Sequence, residues 1–255
     1  MSEYSFDFPK GLMDGYICIH LSNFCSWGKC FRGFGGCANS GQATFSECRI
    51  WDIPKILQKV KQTLKQNQKA KIFLEAPNFF DTAIKSDKYL FQFQTLLSVL
   101  SQQNLGAYFS VQAVPSDLIF FFDEEDILSF EFVRNAGIQE IWLGVESANQ
   151  ELRHKYSKPY FENEALKKTI LKAQKAGIQC CFYLIVSSED TDKTIQETVD
   201  FVHEVKPAQI CMFEAFHYTG GEHYVDWKNM QENLGKVARF QTILRKLAEE
   251  VNHKS

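Results

Sequence analysis

The sequence predicts an α/β fold, specifically a six-fold (βα)6 partial TIM-like barrel with a mostly parallel sheet and outer helices. Three observations carry this. Short apolar runs alternate with amphipathic helical segments six times along the chain, the order of βα units connected right-handedly. Asn135-Ala-Gly-Ile-Gln139 and Lys175-Ala-Gly-Ile-Gln179 repeat 40 residues apart, each at a helix-to-strand junction. With 255 residues, 45% of them apolar, the chain has material for a sizeable core. No Pro/Ser-rich linker interrupts it, so residues 1–255 are expected to form a single domain with its core over about 15–225 and a C-terminal helix over about 229–253.

The elements follow in order. Tyr16 to Leu21 reads as strand 1. Asp52 caps a helix that Pro54 helps to start, with Ile53, Ile56, Leu57, Val60 and Leu64 at helical spacing. Lys71 to Leu74 is strand 2 and ends at Glu75-Ala-Pro77. Tyr89 to Gln103 is helical through Leu90, Phe93, Leu96, Leu97 and Leu100. Ala107 to Val111 is strand 3, closed by Pro115. Asp123 is expected to open a helix that Gly137 ends, glycine being favoured just past a helix. Glu140 to Val145 is strand 4, followed by a polar turn at 146–149. A helix from about Phe161 to Ala176 leads to strand 5, Gln179 to Val186. Asp192 to Val205 is amphipathic, Ile210 to Phe216 is strand 6, and Leu234 to Val251 marks the last helix.

In such folds ligands sit at the C-terminal strand ends. Those ends carry a cysteine loop after strand 1, Glu75 after strand 2, Gln112 after strand 3 and Glu146-Ser147 after strand 4. Residues 187–190 follow strand 5 and His217 to Glu222 follow strand 6. A net charge of −3 and a pI near 6.1 do not support nucleic acid as partner. The lysines between Lys55 and Lys71 read as a solvated helix face. No apolar leader precedes the fold and no run of 18 apolar residues occurs, so a cytoplasmic protein without membrane association is expected. Eight cysteines in a chain this long do not make a disulfide scaffold.

Three of the cysteines, Cys25, Cys30 and Cys37, fall within thirteen residues of a loop that holds four glycines between Trp27 and Cys37. Thiolates at that spacing suit one metal centre, because glycines let the backbone bend closely around it. The spacing matches none of the common zinc patterns. Cys180 and Cys181 are adjacent in a strand, point to opposite faces and read as packed residues. Cys211 reads as core, and Cys18 and His20 on strand 1 read first as packed residues. Tyr183, His217 and Tyr218 stand at or near strand ends as candidate hydrogen donors.

On these residues the chain resembles the radical S-adenosylmethionine (radical SAM) superfamily, and within it the branch of the tRNA methylthiotransferases and the Elongator catalytic subunit. The resemblance runs from about Tyr16 to Tyr224. Its strongest part is Asn135-Ala-Gly-Ile-Gln-Glu-Ile-Trp-Leu-Gly-Val-Glu-Ser147, similar to the branch's strand 4. Ser188-Glu-Asp-Thr191 stands where the branch often has Pro-Gly-Glu-Thr, and Tyr218-Thr-Gly-Gly221 where it often has Tyr-Pro-Gly-Thr. The cysteine motif is atypical: the common Cys-x3-Cys-x2-Cys is absent, and Ser40 stands where a longer form would place its last cysteine.

The resemblance implies a [4Fe–4S] cluster held by three thiolates and chelating SAM at its open iron, with reductive cleavage of SAM to methionine and a 5′-deoxyadenosyl radical. Its metal ligands would be Cys25, Cys30 and Cys37, with Cys30 replacing the ligand missing at Ser40. Alternatively only Cys25 and Cys37 remain and the cluster is weak or lost. For the cofactor it implies Glu75 at the methionine amine, Gln112 and Glu146 at the ribose or methionyl end, and the backbone from Leu184 to Val186 at the adenine edge. The alternative function is a degenerate radical SAM-fold protein that no longer cleaves SAM and acts as a binding or partner subunit, or one with zinc at the cysteine loop. The implied partners are a small-molecule, peptide or protein-bound substrate and a reductant of flavodoxin or ferredoxin type.

Overall fold

The computed structural model describes residues 16–21, 52–80, 87–124, 127–156, 158–214 and 227–253. Six strands run β1 Tyr16–His20, β2 Lys71–Glu75, β3 Tyr108–Ala113, β4 Ile138–Glu146, β5 Gln179–Val186 and β6 Gln209–Glu214. All neighbouring pairs are parallel, and the sheet order is β1-β2-β3-β4-β5-β6, with no pairing of β6 back to β1 among the described residues. The sheet is therefore an open, partial barrel in sequence order, as expected.

Its curl is visible in a cross-lumen contact. In a flat sheet β1 and β4 would stand about 14 Å apart, three inter-strand spacings. Yet the Tyr16 hydroxyl on β1 donates to Glu140 Oε1 on β4 at 2.7 Å. Curvature turns those two side chains toward each other over the inner face.

Helices cover the outer face: α1 Ile53–Gln66, α2 Asp87–Gln103, α3 Pro115–Ile119, α4 Phe130–Asn135, α5 Gln150–Lys155, α6 Asn163–Lys175, α7 Asp192–Val205 and α8 Trp227–Asn252. The helix-facing side of the strands and the inward stripes of the helices form the large core, including Ile72, Val111, Leu143, Phe182 and Leu184. The caps are local and legible. The Asp52 side chain accepts from the Lys55 N–H at 3.1 Å, and Pro54 sits in the first turn. Thr191 and Thr194 form a reciprocal capping box on α7.

The two Ala-Gly-Ile repeats are equivalent turns. Ala136 and Ala176 end α4 and α6, Gly137 and Gly177 follow at φ +93° and +81°, and Ile138 and Ile178 are buried at the strand entrances. A Cβ on Gly137 would stand 2.9 Å from the Phe109 ring, so both conformation and space call for glycine there.

Three expectations are corrected. Strand 3 runs on to Ala113, and Pro115 starts α3 rather than merely closing the strand. Asp123 does not open a helix; it lies within a π-helical turn, Phe120–Glu124, and pairs with Lys172 and, at 3.0 Å, Lys168 of α6. The helix before β4 begins instead at Ser129, whose side chain accepts from the Phe132 N–H at 3.1 Å. The turn after β4 leads at once into α5, capped by Asn149 on the Leu152 N–H at 2.9 Å. Among the described residues no helix is long and apolar enough to cross a membrane.

Candidate functional site

The inner face of the barrel reads as three levels, because alternate residues of each strand point inward. At the floor, near the N-terminal strand ends, Glu140 is fully buried. Its carboxylate accepts from Tyr16 and, at 2.9 Å, from the Tyr108 hydroxyl, with Ser110 Oγ at 2.8 Å and Trp142 Nε1 at 2.5 Å. Lys71 Nζ stands 5.4 Å and 4.8 Å from the centres of the Tyr16 and Tyr108 rings. Burial and the neighbouring carboxylate push both phenols up, so they remain donors. A buried carboxylate with this many donors is a satisfied plug.

The middle level is apolar: Phe73, Trp142, Cys181, Tyr183 and Cys211 pack together, with Phe213 against them. Trp142 and Tyr183 stack at 5.0 Å and 23°, and Phe213 lies 5.5 Å from Tyr183 at 57°. Cys180 turns outward into the helix-side core and Cys181 inward, as their adjacency requires. Burial holds the Cys180 and Cys211 thiols up at about 12, so neither offers a thiolate.

The rim gathers three of the residues singled out from sequence. Glu75 ends β2, and its Oε2 lies 3.4 Å from His20 Nδ1 across the parallel pair. Gln112 is half-buried on β3, two residues on from Ser110 and so on the same face. Glu146 ends β4 in the left-handed region at φ +63°, where a non-glycine residue is strained. The register slips between Gly144 and Glu146, which turns the Glu146 side chain back over the strand. A Cβ on Gly144 would meet Glu146 Oε1 at 3.0 Å, so the missing side chain makes room for that carboxylate. Lys158 Nζ holds the same oxygen at 2.7 Å.

This geometry is pinned from behind. Arg153 donates through Nη1 to the Ser147 carbonyl at 2.8 Å and to Asn163 Oδ1 at 3.0 Å, and through Nη2 to the Phe161 carbonyl at 2.9 Å. Its guanidinium also stacks on Phe161 at 3.9 Å. The α5–α6 connection is thereby folded over the end of β4, carrying Lys158 to the rim. Beyond β5, Asp190 accepts from the Ser187 N–H at 2.8 Å and the Thr194 hydroxyl at 2.9 Å, while Tyr156 and Ser187 share a 2.8 Å bond. That turn is closed on itself.

Leu184 and Val186, expected to act through their backbone, keep their side chains away from the rim. Their side chains are fully buried on the helix side, and Ile185 is the half-buried residue facing in. Only their backbone, laddered to β4 and β6, approaches the lumen. Cys18 and His20 are exposed on the inner face of the open edge strand rather than packed. Cys25, Cys30, Cys37, His217 and Tyr218 lie outside the described residues. Among the described residues no group of three His, Cys, Asp or Glu side chains is placed to hold a metal ion.

Sequence reasoning missed Lys158, Gly144 and the Glu140 plug. Each had a signal: a glycine inside a strand marks close approach, and a glutamate inside an otherwise apolar strand needs buried partners. Lys158-Pro159 marks an extended segment directly after α5.

No protein-family model matches this chain, and no curated protein matches it. Its fold is that of radical SAM enzymes of known structure. The cobalamin-dependent SAM radical enzyme OxsB, solved with aqua-cobalamin, superposes with a TM-score of 0.59 at 16% identity over 86% of this chain and 30% of its own. TsrM from Kitasatospora setae, a radical SAM methyltransferase solved with tryptophan substrate and the SAM analogue aza-SAM, gives 0.59 at 15% identity over 78% and 35%. Methylornithine synthase (PylB) gives 0.55 at 14% identity over 88% and 61%. The chain therefore spans less than two thirds of each of these proteins, and the likeness is one of fold.

Proposed function

We propose that this protein is a radical SAM enzyme whose barrel rim holds SAM beside a [4Fe–4S] cluster carried by Cys25, Cys30 and Cys37. The observation that carries the reading is the strained Glu146 turned over Gly144 and paired with Lys158, at the strand ends where this fold takes its ligands. The rim's donor set fits a zwitterionic, hydroxyl-rich ligand. Glu75 accepts from an ammonium, with His20 at 3.4 Å holding its orientation. Lys158 supplies a cation for a carboxylate, and Glu146 and Gln112 accept from or donate to hydroxyls. When bound, cluster and SAM supply one-electron cleavage of the sulfonium C–S bond. The chain's own part is to orient the ligand and keep water out of the apolar level beneath it.

The resembled tRNA-modifying branch and the identity of the substrate belong to the same proposal at a finer grain. The net charge of −3 favours a small-molecule, peptide or protein-bound substrate over nucleic acid. A flavodoxin- or ferredoxin-type protein would supply the electron. The reading is tested with anaerobically reconstituted protein, SAM and dithionite, following 5′-deoxyadenosine by chromatography. Formation of 5′-deoxyadenosine that is lost in Cys30→Ala is the expected result. Absence of both product and SAM binding in the wild type overturns it.

A further inference from the structure

Tyr183 carries the one anomaly of the middle level. It lies mid-strand on β5, in register with Gly144 and Cys211, and its ring is 9% exposed. Its hydroxyl is buried and, among the described residues, has no hydrogen-bond partner. The polar groups of the floor are satisfied: Tyr16, Tyr108, Ser110 and Trp142 all donate to Glu140. A buried hydroxyl left unpaired costs stability, and native structures keep few of them.

The surroundings say what kind of group completes it. One face of the Tyr183 ring stacks on Trp142, and Phe213, only partly buried, leans against it from above. Burial first, then the neighbouring Cys211 and Cys181 thiols and the carboxylates of Glu140 below and Glu146 above, hold the phenol in its protonated, donating form. The missing partner is therefore an acceptor, and the walls around it suit a flat, unsaturated ring. Tyr183 also sits one level beneath the rim residues Glu75 and Glu146, below the place that the proposed SAM site occupies.

We propose that Tyr183 is a specificity-determining donor for the substrate: its hydroxyl pairs with a hydrogen-bond acceptor on a flat, unsaturated part of the substrate, laid against the partly open Phe213 ring. This rests on the radical SAM reading for the word substrate, but the site and its chemistry stand on the barrel's own residues.

The test compares wild type with Tyr183→Phe, which removes the hydroxyl and keeps the ring. Quinoline and naphthalene serve as probes of one shape, with and without an acceptor nitrogen, and binding to the full chain is followed by Trp fluorescence and titration calorimetry. Quinoline should bind the variant about tenfold more weakly than wild type, while naphthalene binds both alike. Without ligand, the variant should melt about 2–4 °C higher, since an unpaired buried hydroxyl is relieved. S-adenosylhomocysteine should bind both within twofold. Equal quinoline affinities, or a lower melting temperature, overturn the proposal. A tenfold loss for S-adenosylhomocysteine also overturns it, by assigning the acceptor to the cofactor. Failure of wild type to bind S-adenosylhomocysteine at all counts against the radical SAM reading instead, and leaves the quinoline comparison to decide on Tyr183.

Discussion

Lys158 Nζ lies 2.7 Å from Glu146 Oε1, joining the α5–α6 connection to the last residue of β4. The carboxylate side chain is 9% exposed and the ammonium 22%, so the pair is largely withdrawn from water at the mouth of the barrel. A purely structural tie would not need Glu146 in the left-handed region. Strain of that kind persists where the surroundings over-determine it, and ligand sites are where it collects.

The strain gives a signature that separates backbone from side chain. Glu146→Ala and Glu146→Gly both lose the carboxylate, but only glycine is at ease at φ +63°. Glu146→Gly should be about 1 kcal/mol more stable than Glu146→Ala by denaturant unfolding, and both should bind SAM more weakly than wild type. Alanine as stable as glycine would show that the strain is absent in solution.

Gly144 tests the same corner from beneath. A methyl group there meets Glu146 Oε1 at 3.0 Å, and that oxygen ends a flexible side chain. Gly144→Ala should therefore keep most of its stability while the carboxylate shifts and SAM affinity falls about fivefold, read by calorimetry. A cooperative loss of folding with affinity intact would contradict this reading.

The floor makes a stability prediction. Glu140 gathers donors from Tyr16, Tyr108, Ser110 and Trp142 and has no exposed surface. Glu140→Gln would set an amide N–H against some of those donors, costing about 3 kcal/mol in chemical denaturation. A cost under about 1 kcal/mol would mean that the plug is open to water.

Alkaline titration examines the same network. Burial, with nearby carboxylates, raises the phenols of Tyr16, Tyr108, Tyr156 and Tyr183 above the ordinary value of 10.0. The unfolded chain releases these protons near that value while the folded chain keeps them, so their contribution to stability is intact below pH 10 and is lost as pH rises above it. Tyrosinate absorbance should show these four phenols ionising only as the protein unfolds. Ionisation of all nine tyrosines near pH 10 with the fold intact would contradict the buried network.

Much of this was legible because local signals agreed with the global fold. The repeat at Asn135 and Lys175, the cap at Asp52, and the apolar runs of β4 and β5 each specify their element within a few residues. Asp123 misled because an acid before an apolar stretch looks like a cap, while its real partners, Lys168 and Lys172, come from a helix more than forty residues away. Glu75, Gln112 and Glu146 could be placed at or near strand ends because those ends can be read from periodicity. Lys158 could not, since its role depends on Arg153 folding the α5–α6 connection back over β4. Along β5, alternation puts the side chains of Leu184 and Val186 in the core and Ile185 at the lumen, so the expectation there concerns backbone alone.

The most direct test of the central claim is an iron and EPR measurement on protein purified and reconstituted without oxygen. The account predicts about four irons per chain and a reduced-cluster signal that changes when SAM is added. Both should be lost in Cys30→Ala. Iron-free protein, or zinc bound in its place, would contradict it and leave a barrel whose rim binds ligands without radical chemistry.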